Sequence, residues 1–192
     1  KQAIIDNIVK RPLKGIPHGI AEMNSSRASV RFEAYLVAAV ERWLEYVEQL
    51  KDLGKKPVLF LMLGNTAEAD DVAEWMRLKY REYFEGDKLL VIHTKNNGEI
   101  TQKDLEKARA ASREIDDENS PINCVVSVLM LREGWDVNNV TVVAGLRAYS
   151  SRANILPEQA IGRGLRKMFR NLNNYQENVD IIGNDNFMEI VN

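Results

Sequence analysis

The chain has 192 residues, 45% of them hydrophobic, which is enough for one large domain with a buried core or for one domain with an extension. Its formal net charge of −2 excludes a basic field over the whole surface, the usual mark of a general nucleic-acid binder. A single cysteine, Cys124, excludes an internal disulfide framework, and the two histidines and one cysteine do not have the spacing of a metal site.

The first half of the chain alternates helical and strand-like patterns. Apolar residues at helical spacing predict a helix over 27–53, which Gly54 is suited to end. The continuous apolar run 57–63 predicts a strand buried on both faces. Asn65, with Glu68 three residues later, then predicts the start of another helix.

The second half continues the alternation. The predicted elements are strands over 88–93, 123–128, 140–144 and 179–182, and helices over 101–115, over 157–170 and from Asn184 onward. Strands that alternate with helices imply right-handed βαβ units, and therefore an α/β fold with a parallel sheet. Ligands of such sheets gather at the carboxyl ends of the strands.

The most informative stretch is Gln159-Ala160-Ile161-Gly162-Arg163-Gly164-Leu165-Arg166. Pro157, just before it, suits the first turn of a helix. Arginines three residues apart lie on one face of a helix start, so both guanidinium groups can converge on one anion. The partial positive charge of the helix N-terminus supports the same anion, which predicts a place to hold a polyphosphate.

The pattern Gln159-x-x-Gly162-Arg163-x-x-Arg166 resembles motif VI of superfamily 2 helicases, and 131–136 resembles their motif V. The longer string 131–169 most resembles the ATPase subunit of type III restriction enzymes, and 8–12 resembles the segment linking the two motor domains of that family. The fold implied is a RecA-like parallel sheet flanked by helices, the C-terminal domain of a P-loop NTPase helicase.

The resemblance implies a role for each matching residue. Arg163 and Arg166 are implied to be catalytic, reaching across a cleft to the γ-phosphate of ATP held by a neighbouring domain. A second group is implied to contact or order the nucleotide: Gln159, Gly162, Gly134 and Asp136.

Candidate nucleic-acid contacts follow strands or flank a polar loop: Asn65, Thr66, His93, Thr94, Ser127, Arg147 and Arg152. Residues 147–170 include six arginine and lysine residues and a single glutamate, and this local positive charge suits the binding of phosphates. Simpler roles stay open, since Asn65 is explained by helix capping alone and Ser127 by an ordinary position in a strand.

The chain lacks a Gly-x-x-x-x-Gly-Lys-Ser/Thr loop, and the acidic run 116–118 follows a helix instead of ending an apolar strand. We therefore expect ATP with Mg²⁺ to be held mainly by a preceding domain absent from this chain. The fragment alone is then expected to be inactive.

The expected organisation is a linker from a preceding motor domain over 1–26, the second RecA-like domain over 27–175, and a C-terminal strand and short helix over 176–192 that begin a following region. The resemblance implies the motor domain of an ATP-dependent DNA helicase or translocase, most like the restriction subunit of a type III enzyme. A standalone superfamily 2 helicase or DNA-repair ATPase, and a non-catalytic DNA-binding module with a degenerate motor fold, are the alternatives.

The expected partners are DNA in preference to RNA, the preceding RecA-like domain of the same chain, and a modification methyltransferase subunit. No apolar run approaches the roughly 18 to 20 residues that cross a bilayer, and the chain starts without a signal-peptide pattern. We therefore expect a cytoplasmic protein without membrane contacts.

Overall fold

The computed structural model describes residues 9–15, 20–93, 102–128, 137–146, 166–169 and 175–190. The strands are β1 (Arg11–Gly15), β2 (Val58–Leu63), β3 (Leu89–Ile92), β4 (Cys124–Ser127), β5 (Val140–Leu146) and β6 (Asn178–Gly183). They form one sheet in the order β1-β6-β5-β2-β4-β3, with every neighbouring pair parallel. Their last residues therefore share one border, here called the carboxyl edge, and their first residues share the amino edge.

The described helices are α1 (Ala28–Arg31), α2 (Glu33–Lys51), α3 (Thr66–Lys79), α4 (Arg81–Phe84), α5 (Gln102–Glu114) and α6 (Asp185–Ile190). The predicted α/β class with a parallel sheet flanked by helices is confirmed. Within the described ranges, no helix combines the length and the apolar character that a membrane crossing requires.

The core lies on both faces of the sheet, and β2 shows why. Its six residues are all buried, and alternate side chains enter two separate apolar clusters. One cluster includes the inner faces of α2 and α3, and the other includes α5 and Phe187 of α6. A continuous apolar run is what a parallel strand covered on both faces requires.

Trp43 anchors α2 to the sheet. It is 1% exposed, and its indole N–H donates to the carbonyl oxygen of Pro57 at 2.9 Å. Its ring meets Tyr83 edge-on at 5.8 Å between centroids and lies tilted against Phe84 at 5.2 Å. Burial of a large aromatic ring with its one donor satisfied is a strongly stabilising arrangement.

The single helix predicted over 27–53 is interrupted at Phe32, which separates α1 from α2 and has φ −104° and ψ 13°. Asp71 of α3 accepts the backbone N–H of Ser29 at 2.8 Å and holds the first turn of α1, and the Phe32 side chain at the break is buried in the core, 2% exposed. Gly54 follows α2 with φ +61°, in agreement with its predicted role at the helix end.

The sequence prediction missed β1. Residues 11–15, assigned to a linker, pair in parallel with β6, which in turn lies between β1 and β5. Proline is accepted at Pro12 because β1 is an edge strand, where one side of the backbone needs no partner. The division of the chain at 26 and 175 stays a prediction, but both flanking segments contribute a strand to the same sheet.

Candidate functional site

The junction between β2 and α3 forms the centre of the carboxyl edge. Asn65 is extended, and its side chain accepts the backbone N–H of Glu68 at 2.9 Å. The Glu68 carboxylate in turn accepts the N–H of Gly64 at 3.0 Å, so two backbone donors near the helix start are satisfied locally. The predicted capping role of Asn65 is confirmed, and its nucleic-acid contact stays a prediction.

The start of α3 is held from outside by α1. Arg31 forms an ion pair with Glu68 at 2.5 Å, and Arg27 forms one with Asp71 at 2.9 Å. Partial burial raises the pKa of Asp71, but hydrogen bonds from Ser29 and Arg27 outweigh it and hold the pKa below its usual range. These contacts fix the helix start, whose first backbone N–H groups and partial positive charge favour an anion.

Ser127 is the last residue of β4 and lies between the ends of β2 and β3. Its register partners are Met62 on one side and Ile92 on the other. The residue is fully buried. The proposed contact between its hydroxyl and a phosphate stays a prediction.

His93 follows β3 at the same edge, and the structure adds a partner that the sequence prediction missed. Nε2 of His93 lies 2.8 Å from Oδ1 of Asp70, and the two side chains are 39% and 58% exposed. Asp70 lies one helical turn after Thr66, so α3 carries both the helix start and the group that orients the imidazole. In the sequence, only the four-residue spacing between Thr66 and Asp70 could have indicated that Asp70 lies near this edge.

The fold thus gathers candidates that are far apart in the sequence. Thr66, Ser127 and His93 follow or end β2, β4 and β3, which are adjacent in the sheet. Neighbouring strands lie about 4.8 Å apart, so these three positions span about 10 Å of the carboxyl edge. This edge combines the start of α3 with the imidazole of His93, and a helix start and an imidazole are both features that can bind phosphate oxygens.

The backbone at Arg166 differs from one prediction, that of a helix in this segment. Residues 166–169 are not helical, so the helix predicted over 157–170 does not extend through them. The physical reason is that the N–H groups of Met168 and Phe169, which a helix would use internally, donate instead to the Glu177 carboxylate. Arg166 itself is exposed.

The remaining predicted site residues lie outside the described part of the chain: Gly134, Asp136, Arg147, Arg152, Gln159, Gly162, Arg163 and Thr94. Their roles stay predictions.

The opposite border of the sheet contains a group of buried and half-buried charges. Lys10, just before β1, is fully buried, and its Nζ donates to the carbonyl oxygens of Asn138 and, at 2.8 Å, of Val140. The Asp116 carboxylate accepts the backbone N–H groups of Asn138 at 2.9 Å and Asn139 at 3.0 Å.

Glu177 completes this group and is 1% exposed. Its carboxylate accepts the N–H groups of Met168 at 2.7 Å and Phe169 at 3.0 Å, and its carbonyl oxygen accepts the N–H of Arg11 at 2.7 Å. We call the set Lys10, Asp116, Asn138, Asn139 and Glu177 the amino-edge junction. Sequence reasoning missed Glu177, because a lone acid in the polar stretch 171–178 carries no local signal.

Burial lowers the pKa of Lys10 to about 7, although the negative charges of Glu177 and Asp116 oppose the shift. An unfolded lysine keeps its proton up to about pH 10, so between about pH 7 and pH 10 the unfolded state binds more protons than the folded state. Stability contributed by Lys10 therefore rises with pH across this window.

We expect the free energy of unfolding in urea to rise by about 1 kcal/mol between about pH 6.5 and pH 8, and Lys10→Met to flatten this dependence. Measurements stay below about pH 8.5 because burial raises the pKa of the Cys124 thiol, and its ionisation in the unfolded state opposes the trend. An equal pH slope in the Lys10→Met variant would show that another group is responsible.

In the described ranges, no group of three or more His, Cys, Asp or Glu side chains could hold a metal ion. The expected binding of ATP with Mg²⁺ mainly by a preceding domain stays a prediction.

No family model matches this sequence, and no curated protein is similar to it. One similar solved structure is described as "Mss116p DEAD-box helicase domain 2 bound to an RNA duplex". It is 18% identical, with a TM-score of 0.48, and the match covers 92% of this chain and 55% of that one. The chain thus spans about half the length of the structure it matches, and similarity at this level assigns neither a family nor an activity.

Proposed function

We propose that this chain is the second motor domain of a superfamily 2 nucleic-acid-dependent ATPase. The observation that carries the proposal is the convergence of Thr66, Ser127 and His93 on three adjacent strand ends of a parallel sheet. The motif VI and motif V patterns of the sequence, including Arg163 and Arg166, support the ATPase role.

In the proposed mechanism, a preceding RecA-like domain holds ATP with Mg²⁺. Closure of the two domains brings Arg163 and Arg166 against the γ-phosphate, where they stabilise the charge that spreads over the transferring phosphoryl group. The carboxyl edge around Thr66 and His93 binds the phosphate backbone of the nucleic acid, which fixes position without reading sequence. Closure and opening then couple hydrolysis to movement.

The finer proposal is that the full protein is the restriction subunit of a type III restriction enzyme, acting on DNA together with a methyltransferase subunit. It is supported by the resemblance of residues 131–169 to that family. Site-specific DNA cleavage by the full protein with its methyltransferase would support this function. ATP-driven unwinding or translocation without cleavage would favour a standalone helicase or repair ATPase.

The nucleic-acid edge can be tested by Thr66→Glu. Thr66 is the first residue of α3, and a glutamate there would place a negative charge against the bound phosphates. We expect DNA affinity of the full-length protein, measured by fluorescence anisotropy at low salt, to fall about fivefold, which is about 1 kcal/mol. The difference should shrink as salt is raised. An acid in the first turn suits the helix dipole, so the fold should be retained.

The matched control is Gln49→Glu, which adds the same charge on the exposed face of α2 near its end, towards the amino edge. We expect unchanged DNA affinity in this variant and urea midpoints close to that of the unmodified protein in both. Equal affinities for all three proteins would contradict the assignment of the carboxyl edge to nucleic acid.

A further inference from the structure

We propose that Glu177 is a positioning residue for Arg166, fixing the backbone that directly follows the arginine. The inference rests on the proposed role of Arg166 in ATP hydrolysis. It adds a residue that touches neither nucleotide nor nucleic acid.

The geometry of the Glu177 carboxylate is the first argument. One carboxylate accepts two consecutive backbone N–H groups, from Met168 at 2.7 Å and Phe169 at 3.0 Å. Both bonds are charge-assisted, and they are partly buried at Met168 and buried at Phe169, where the lower local dielectric strengthens them. Arg166 is only two residues upstream of Met168, so its backbone can move little while these bonds hold.

The surroundings of Glu177 give the second argument. Phe169 is 9% exposed and meets Tyr175 edge-on at 5.7 Å between centroids, which provides an apolar anchor beside the polar one. The Glu177 carbonyl oxygen also accepts the N–H of Arg11, at the first residue of β1. The segment after Arg166 is thus tied to the strand by which the chain enters the sheet.

Charge balance gives the third argument. The buried negative charge of Glu177 attracts Lys10, whose own Nζ is held by the carbonyl oxygens of Asn138 and Val140 ahead of and within β5. Asp116 holds the backbone of Asn138 as well. The amino-edge junction therefore connects four chain segments, and the Glu177 carboxylate ties residues 166–169 to it as a fifth. Removal of the Glu177 charge would loosen this fifth segment, which carries Arg166.

A shift of the Arg166 backbone would affect catalysis by changing the distance between the guanidinium and the charge that it stabilises. A guanidinium that stabilises developing charge must stay in hydrogen-bond contact with it, and a misplacement of about 1 Å can cost about 10²-fold in rate. Loss of one anchoring bond should therefore lower kcat, while ATP binding, which depends mainly on the preceding domain, changes little.

The test is nucleic-acid-stimulated ATP turnover of the full-length protein carrying Glu177→Gln. Glutamine keeps the shape but turns an NH₂ group towards one of the two N–H donors, so one hydrogen bond is lost. We expect kcat to fall about tenfold while KM for ATP stays within about twofold. Glu48→Gln, an exposed change of the same kind on α2, should leave both constants unchanged.

A double variant distinguishes positioning from a general structural effect. If Glu177 acts through Arg166, adding Glu177→Gln to Arg166→Ala should not lower kcat further. A further tenfold fall in the double variant, or an unchanged kcat in the single variant, would overturn the proposal. If Glu177→Gln does not fold, Glu177→Asp serves in the same cycle, since it keeps the charge but is one methylene too short. Normal turnover of Arg166→Ala would instead refute the proposed function itself.

Discussion

Replacing Arg166 by alanine in the full-length protein is expected to lower ATP turnover by about 10³-fold, with DNA binding and ATP affinity much less affected. An arginine that acts on charge developing in the transition state contributes mainly to kcat and little to ground-state binding. Steady-state turnover at saturating DNA and ATP, together with a separate measurement of DNA affinity, checks both parts of this expectation.

Two further variants sharpen the Arg166 test. Arg166→Lys should rescue poorly, because an ammonium group is a point charge and cannot form the forked pair of hydrogen bonds that a guanidinium offers to phosphate. Arg163→Ala should be similarly damaging, with a larger share of the loss in ATP affinity if Arg163 contacts the ground-state phosphate.

The control for these variants is Arg81→Ala. Arg81 is an exposed arginine whose ion pair with Glu85 lies on a separate helix, so its loss should leave turnover unchanged. Near-normal DNA-stimulated turnover in folded Arg166→Ala would contradict the motif VI assignment and leave Arg166 as a solvated surface arginine.

The sheet was largely predictable because parallel strands that are covered on both faces consist mostly of consecutive apolar residues. β2 through β6 each contain a mostly apolar run, interrupted by Thr141 in β5 and Asp180 in β6, and their ends are shifted by one or two residues from those predicted. β1 was missed because residues 11–15 combine one leucine with charged residues, a proline and a glycine. Its strand state depends on pairing with β6, which is more than 160 residues away in the sequence.

The candidate site was predictable only where local chemistry decides. Asn65 and Glu68 form the expected helix start because capping depends on residues three apart. The contact between His93 and Asp70 and the contacts of Glu177 depend on how elements pack, and no local pattern carries that information. The predicted helix through Arg166 was wrong because the Glu177 side chain, from outside the predicted helix, accepts the backbone N–H groups of Met168 and Phe169.

The packing of α6 leads to the largest expected effect on stability. Gly183 and Gly145 are register partners at the carboxyl ends of β6 and β5, and the fully buried Phe187 ring lies against both. A Cβ at Gly183 would come 2.2 Å from Phe187 Cδ1, and one at Gly145 would come 2.4 Å from Cδ2. Asn184 accepts the N–H of Phe187 at 3.0 Å and holds the start of α6 in place, so the ring cannot simply move away.

Gly183→Ala is therefore expected to lower the free energy of unfolding by about 3 kcal/mol, as measured by urea denaturation. Phe187→Ala should cost about 3 to 5 kcal/mol through the cavity it leaves. The double variant should cost no more than Phe187→Ala alone, because the added methyl group then occupies space the ring has vacated.

Gly15→Ala is the matched control, a glycine in the adjacent strand β1 where a Cβ would meet Ile182 Cγ1 at an ordinary 3.5 Å. Its effect should stay within about 0.5 kcal/mol. Equal stability of Gly183→Ala and Gly15→Ala would mean that the Phe187 ring does not pack on the paired glycines.

A lower stability of Gly183→Ala than of Gly15→Ala would support the packing of α6 on the ends of β5 and β6. The candidate residues Thr66, Ser127 and His93 lie elsewhere on the sheet, at β2, β4 and β3. Destabilising α6 should then weaken the fold without directly altering the proposed nucleic-acid edge.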